Sequence, residues 1–199
     1  MRGPLGWIVA ALAAGALTVP ARAASPELVV SAGSSLAVNG DPGTGGLAGT
    51  LGLLWPVEGR FAFGPALFVD DLGTGLAQLS DPNTGTPLGN VAALHRLSFG
   101  GEWRAEVRLH QNRRTRWLWG AGFGYTRQER DTRGQVNDAV SGVLASTSTV
   151  FLLQAAHGHA FGATIALRRA FVNRESVVGR STNWATAALE WRWRGTPKE

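Results

Sequence analysis

The sequence predicts an all-β fold: a closed, eight-stranded, antiparallel, up-and-down transmembrane β-barrel behind a cleaved signal peptide. Three observations support this. Eight segments alternate between large apolar residues and small or polar ones, as strands with two different faces do. The connections between them alternate between long and short, which is typical of transmembrane barrels. The fourth segment places charged residues at even positions and apolar residues at odd positions.

The N-terminal residues have the three parts of a secretory leader. Arg2 precedes an apolar stretch, residues 5–19, and Ala21-Arg22-Ala23 supplies the small residues of a cleavage site. We therefore expect a signal peptide at residues 1–23 and a barrel domain at residues 24–199. An uncleaved anchor is the alternative, although the apolar run is short for one. Because the sequence contains no Cys, we expect an exported domain without disulfides.

The predicted strands follow in order along the rest of the chain. They are residues 27–38, 46–57, 60–70, 91–109, 116–126, 142–156, 160–173 and 184–193. The fifth shows the alternation best, since Trp117, Trp119 and Phe123 share one face while the other face is mostly Gly. The first and sixth are rich in Ser, Thr and Ala, so their facing stays open.

Turn-forming residues separate these strands. Residues 71–90 and 127–141 are long and polar, and we expect them to be surface loops. Residues 57–60, 110–115 and 157–159 are predicted as tight turns. An even number of strands returns both chain ends to one side, so the tight turns would face the periplasm and the longer loops the exterior.

The charged face of the fourth strand is expected to line the barrel interior. A charge on the lipid face at mid-depth costs roughly 2–4 kcal/mol, so the apolar face must point outward. The lumen of an eight-stranded barrel is just wide enough for side chains to fill. We expect an interior ion-pair network that plugs it, formed by Arg96, Glu102, Arg104, Glu106, Arg108, Arg168, Glu190 and Arg192. A narrow pore and a site for a small charged ligand are the alternatives.

Aromatic residues are expected to form girdles at the two membrane interfaces, where amphipathic rings are favoured. Trp55, Phe61, Trp117, Trp119, Phe161, Trp191 and Trp193 lie beside the tight turns or the last strand's end. Tyr125 and Phe171, together with Phe68, Phe123 and Trp184, lie nearer the other rim.

The last strand, residues 184–193, ends in an aromatic residue, Trp193. With this strand and the architecture above, the chain resembles the small outer-membrane β-barrel proteins of Gram-negative bacteria, the group of the OmpA transmembrane domain and OmpX. The resemblance covers residues 24–199 and rests on architecture rather than on a short motif. It implies an outer-membrane location and recognition of the last strand by the barrel-assembly machinery, although residues 194–199 follow Trp193 here.

Arginines near the predicted outer rim are candidate contacts for lipopolysaccharide phosphates, because guanidinium pairs bidentately with phosphate. They are Arg127, Arg130, Arg133, Arg174 and Arg180. Interleaved acidic residues, such as Glu129 and Asp131, make a solvated charged loop an equally good interpretation.

The expected function is a structural or surface-interaction role in the outer membrane, as a monomer without enzyme activity, metal or cofactor. His157 and His159 fall in a predicted turn with no adjacent Ser, and Asp70 and Asp71 supply too few oxygens for calcium. The scattered charge, +5 in total, does not indicate nucleic-acid binding. The alternatives are a narrow channel, a lipid-modifying enzyme and a soluble periplasmic ligand-binding barrel.

Overall fold

A computed structural model of the chain describes residues 25–38, 45–57, 60–81, 84, 86–131, 137–172 and 182–195. These residues form one closed barrel of eight strands and a short 3-10 turn. The strands are β1 (Glu27–Ala37), β2 (Gly46–Pro56), β3 (Phe61–Ser80), β4 (Pro87–Gln111), β5 (Thr115–Asp131), β6 (Asn137–Gln154), β7 (His159–Val172) and β8 (Thr182–Arg194). The predicted leader lies outside the described residues.

Each strand pairs antiparallel with the next, and β8 pairs with β1 to close the sheet. The predicted closed, eight-stranded, up-and-down antiparallel barrel is therefore confirmed. The strands are staggered: following register partners once around the barrel from Val29 leads to Thr182, which lies beyond the partner of Ala37. Such a stagger accompanies the strand tilt that a closed barrel requires.

The two rims of the barrel differ. The tight-turn rim carries the connections 57–60, 112–114 and 155–158, and β1 begins and β8 ends there. Its turns are closed by backbone hydrogen bonds, such as those from Val57 N to Phe61 O (2.9 Å) and from Ala155 N to His159 O (2.8 Å). The opposite long-hairpin rim carries the β3–β4 and β5–β6 hairpins. No helix among the described residues is long and apolar enough to cross a membrane.

The prediction of long loops at residues 71–90 and 127–141 is wrong for most of their length. β3 continues to Ser80 and β4 starts at Pro87, while β5 continues to Asp131 and β6 starts at Asn137. On β3 the pairing with β4 continues past Gly73 through an irregularity in the register between Asp71 and Thr74, where Gly73 takes a φ of 72°. Cross-strand pairing satisfies the backbone groups of these segments, and it overrides their local turn preference.

Alternation along the strands sorts side chains into a lumen face and an outer face. On β3, Ala66, Phe68 and Asp70 are buried, whereas Leu67 and Val69 are exposed. The same alternation holds on β1 and β6, whose facing the sequence left open, with Ser35 and Ser148 buried inside. All the strands therefore contribute one face to a common interior.

Gly162 marks a close approach between strands. A Cβ built on Gly162 would overlap the carbonyl oxygen of Phe151 and lie 2.8 Å from Cα of Leu152 on the neighbouring strand. By contrast, a Cβ on Gly49 would meet only the carbonyl oxygen of Ser31, at 3.8 Å. A side chain is therefore excluded at Gly162 and tolerated at Gly49.

We expect Gly162→Ala to lower the free energy of unfolding by about 1–3 kcal/mol, because the backbone must shift to accept the methyl group. Gly49→Ala, the matched control, should leave it within about 0.5 kcal/mol of wild type. Urea unfolding of the refolded barrel, followed by tryptophan fluorescence, measures both. Equal stability of the two variants would contradict the close approach.

Candidate functional site

The lumen near the tight-turn rim is built around Arg192. Its guanidinium makes a two-pronged contact with Glu106, at 2.6 and 2.9 Å, and its Nε donates to Glu190 at 2.6 Å. Glu27 on β1 lies 3.5 Å from the same guanidinium. All four side chains are buried, so Arg192 neutralises carboxylates from three different strands inside the barrel.

A second group of ion pairs occupies the middle of the lumen. Arg104 lies 2.9 Å from Glu102 and 3.9 Å from Glu106, which connects it to the group around Arg192. Arg168 on β7 lies 2.9 Å from Asp70 and 3.7 Å from Glu102. The ion pairs therefore link into one continuous series along the lumen.

We call this series the ion-pair network; its members are Glu27, Asp70, Glu102, Arg104, Glu106, Arg116, Arg168, Glu190 and Arg192. The structure thus brings together six of the sequence-predicted residues: Glu102, Arg104, Glu106, Arg168, Glu190 and Arg192. Sequence analysis missed three members: Glu27, Asp70 and Arg116. The inward position of Asp70 could have been predicted from the sequence, since it continues the even positions of Ala66 and Phe68 on β3.

The structure places the other two predicted members toward opposite rims of the barrel. Arg96 occupies the next inward position beyond Ser98, the register partner of Asp70, and it makes no ion pair with a described residue. It is therefore past the last acidic member of the network. Arg108 lies at the tight-turn rim, where its guanidinium donates a hydrogen bond to the side chain of Gln111.

An apolar layer lies next to the network, on the side of the long-hairpin rim. It consists of Ala37, Phe68, Leu72, Leu144, Ala170 and Trp184. The Trp184 indole donates a 2.7 Å hydrogen bond to Asp70, and the Arg168 guanidinium lies 4.7 Å from the centre of the Phe68 ring. A hydrogen bond and a cation–π contact therefore connect the apolar layer to the ion-pair network. Phe68 and Trp184, expected at the rim, lie inside because their strand positions share the inward face of Asp70 and Thr186.

The outer surface is apolar along the length of the barrel. Leu47 and Leu189 are 79% and 76% exposed, and Leu51, Leu67 and Ile165 are more than half exposed. A soluble barrel of the lipocalin kind has the opposite arrangement, an apolar lumen and a polar exterior. The exterior of this barrel is therefore suited to an apolar surrounding rather than to water.

Many aromatic residues on this surface lie toward the rims, whereas the register partners Trp103 and Phe123 lie between them. Trp55, Phe61, Trp117, Trp119, Phe161, Trp191 and Trp193 lie in the half of the barrel nearer the tight-turn rim, and Tyr125 and Phe171 lie in the half nearer the long-hairpin rim. Trp191 stacks on His159 with ring centres 5.8 Å apart, and its indole donates to His159 Nδ1 at 3.1 Å. His159 is thus a packed residue at the start of β7.

The arginines proposed to contact lipopolysaccharide fall into three groups. Arg127 is exposed on the outer face and lies 3.6 Å from Glu129. Arg130 is buried in the lumen, where it donates to Gln128 at 3.0 Å, so its assignment as a lipid contact is wrong. The error follows from treating residues 127–141 as a loop, since in a strand Arg127 and Arg130 point to opposite faces. Arg133, Arg174 and Arg180 lie outside the described residues.

In the part of the chain that the structure describes, the histidines and acidic residues do not form a metal centre. No group of three His, Cys, Asp or Glu side chains suited to a metal occurs among the described residues. Asp70 belongs to the lumen network, whereas Asp71 faces outward and contacts His95 at 3.0 Å. His157 sits in the 3-10 turn with a φ of 57°.

Comparison with known proteins supports the fold. No family model matches the chain, and no curated protein matches it. Among solved structures it is similar to Neisserial surface protein A (TM-score 0.62, 11% identity, 86% of this chain and 98% of that one). It is also similar to Ail, the attachment invasion locus protein of Yersinia pestis (TM-score 0.48, 8% identity, 85% and 99%). A third is the N-terminal barrel domain of Pseudomonas aeruginosa OprF (0.47, 7%, 86% and 100%). These neighbours are small eight-stranded outer-membrane β-barrels.

The shared dependence on Arg192 is testable. We expect Arg192→Met to lower the free energy of unfolding by about 3–5 kcal/mol, because it leaves Glu27, Glu106 and Glu190 buried without their common cation. The double variant Glu106→Gln/Arg192→Met removes one of those charges and should lose less. Urea unfolding in lipid vesicles measures both.

Arg113→Gln, in an exposed tight turn, is the control and should match wild type. If Arg192→Met were as stable as the control, or the double variant less stable than the single one, Arg192 would not be the common cation that stabilises these three carboxylates.

Proposed function

We propose that this chain is an integral outer-membrane β-barrel whose role is structural or surface-interacting, with a filled lumen and hairpins that project from the cell. The observation that carries the proposal is the inverted placement of charge: the buried ion-pair network inside and an apolar exterior. Water outside the barrel would favour the reverse arrangement, whereas lipid favours this one.

The dimensions of the barrel support membrane insertion. β1 and β2 have 11 residues each, and tilted membrane strands need about 9–11. Closure of the sheet also leaves no unpaired strand edge within the barrel wall, a condition that hydrocarbon imposes on any spanning structure. The same closure is the reason to expect a monomer, since the wall needs no partner to satisfy its backbone groups.

The filled lumen argues against the channel alternative. The ion-pair network and the apolar layer occupy the interior of an eight-stranded barrel, in which there is room for little besides side chains. A soluble ligand-binding barrel is disfavoured by the apolar exterior, and no described residues favour the lipid-modifying enzyme over the structural role.

The proposed orientation places the tight-turn rim in the periplasm. Both ends of the barrel lie at that rim, where an exported chain with the leader at residues 1–23 would begin and where Trp193 would meet the assembly machinery. Two hairpins then project to the exterior: β3–β4, with strands of 20 and 25 residues, and β5–β6, with strands of 17 and 18. These hairpins extend past the ends of β1 and β2 and are the surface we propose for contacts with other molecules.

Single cysteines test both location and orientation, because the natural sequence has none. Thr84→Cys lies at the tip of the β3–β4 hairpin and Arg113→Cys in a tight turn, and both positions are exposed. With a maleimide polymer too large for porins, we expect Thr84→Cys to be labelled on intact cells. Arg113→Cys should be labelled only after the outer membrane is permeabilised.

The matched pair makes the outcomes distinct. Labelling of Arg113→Cys alone on intact cells would reverse the orientation. If both variants were labelled only after permeabilisation, the barrel would not reach the cell surface, and the proposal would fail.

A further inference from the structure

Two adjacent arginines on β7 point in opposite directions. Arg168 enters the lumen and joins the ion-pair network, whereas Arg169 is exposed on the outer face. Along that outer face Arg169 is flanked by Leu167 and Phe171, which are 52% and 47% exposed. A cation is thus placed among the side chains that we assign to lipid.

Arg169 has no carboxylate partner among the described residues. Its register partners are Ala145 on β6 and Asn183 on β8, neither of which carries a charge. Arg127, the other described outward arginine in this part of the barrel, lies 3.6 Å from Glu129. The charge of Arg169 is therefore not neutralised by its register neighbours.

The register places Arg169 near the end of the apolar band. Phe171 pairs with Val143, which pairs with Tyr125. Arg169 is the next outward-facing residue of β7 from this row in the direction of the tight-turn rim. An arginine facing lipid costs roughly 2–4 kcal/mol at the bilayer midplane but about 0–1 near an interface. A charge is therefore acceptable at this depth, where lipid headgroups begin.

The guanidinium of Arg169 lies 4.9 Å from the centre of the Phe171 ring. A guanidinium over an aromatic face is held by a cation–π interaction, while its N–H groups lie in its own plane and stay available to acceptors. Its planar fork fits the oxygens of a phosphate bidentately. The stack thus presents an oriented phosphate-binding group beside an apolar surface.

We propose that Arg169, held on Phe171, binds the phosphate of an outer-leaflet lipid of the lipid A type, whose acyl chains lie on the neighbouring apolar surface. This inference rests on the proposed function, since it needs the barrel to be in a membrane with the long-hairpin rim outward. The exposed Leu167 and Val143 favour a lipid over free phosphate, because they offer contact to acyl chains and none to a small anion.

Native mass spectrometry of the detergent-purified barrel, titrated with diphosphorylated lipid A, tests the proposal. We expect Arg169→Gln to weaken lipid A binding roughly tenfold, the effect of losing a hydrogen bond to a charged group. Arg169→Lys should lose part of the affinity, because a point charge replaces the fork. Arg113→Gln, at the opposite rim, is the matched control and should bind as wild type does.

Three results would overturn the proposal: equal binding by Arg169→Gln and wild type, equal binding of dephosphorylated lipid A, or displacement of lipid A by millimolar inorganic phosphate. Retention of each variant in vesicles after an alkaline wash is measured in parallel. Loss of wild type from the vesicles would refute the proposed function itself, whereas retention with unchanged lipid binding would refute only the role of Arg169.

Discussion

The structure depends on one constraint: in a closed sheet, each strand side chain points either into the lumen or to the exterior. Because side chains alternate along a strand, the register of the strand determines the side on which every one of its charged residues lies. Here that assignment sends Glu102, Arg104 and Glu106 inward at every second position of β4. Charges confined in this way have to neutralise one another, and the continuous ion-pair network follows from that requirement.

The rest of the interior is arranged to give these charges room. Gly122 on β5 faces the lumen beside Glu102. A Cβ there would lie 2.7 Å from a Glu102 carboxylate oxygen and would overlap Ser146 Oγ. Ser146 in turn donates to Glu102 at 2.5 Å. Small residues on β5 and β6 therefore accommodate the long side chains that project from β4. Trp184 and its apolar neighbours fill the lumen next to the network, on the side of the long-hairpin rim.

Sequence reasoning recovered the features that depend on periodicity alone. Strand number and the charged inward face of β4 follow from alternation, which local sequence displays. The length of β3 and β4 could not be read in the same way, because Gly73 and the residues after it favour turns and only pairing across the hairpin decides otherwise. The matching error on β5 and β6 moved Arg130 out of its buried position. The link between Arg192 and Glu27 joins the two ends of the barrel domain, and no local pattern marks such a contact.

The central claim is that the apolar surface meets lipid around a closed barrel, and electrophoretic mobility tests it most directly. Detergent-extracted outer-membrane protein is compared unboiled and boiled. A closed membrane barrel resists the detergent until it is heated, so the account predicts that boiling changes its mobility. Identical mobility, with the protein recovered in buffer without detergent, would contradict the lipid-facing assignment of the outer surface.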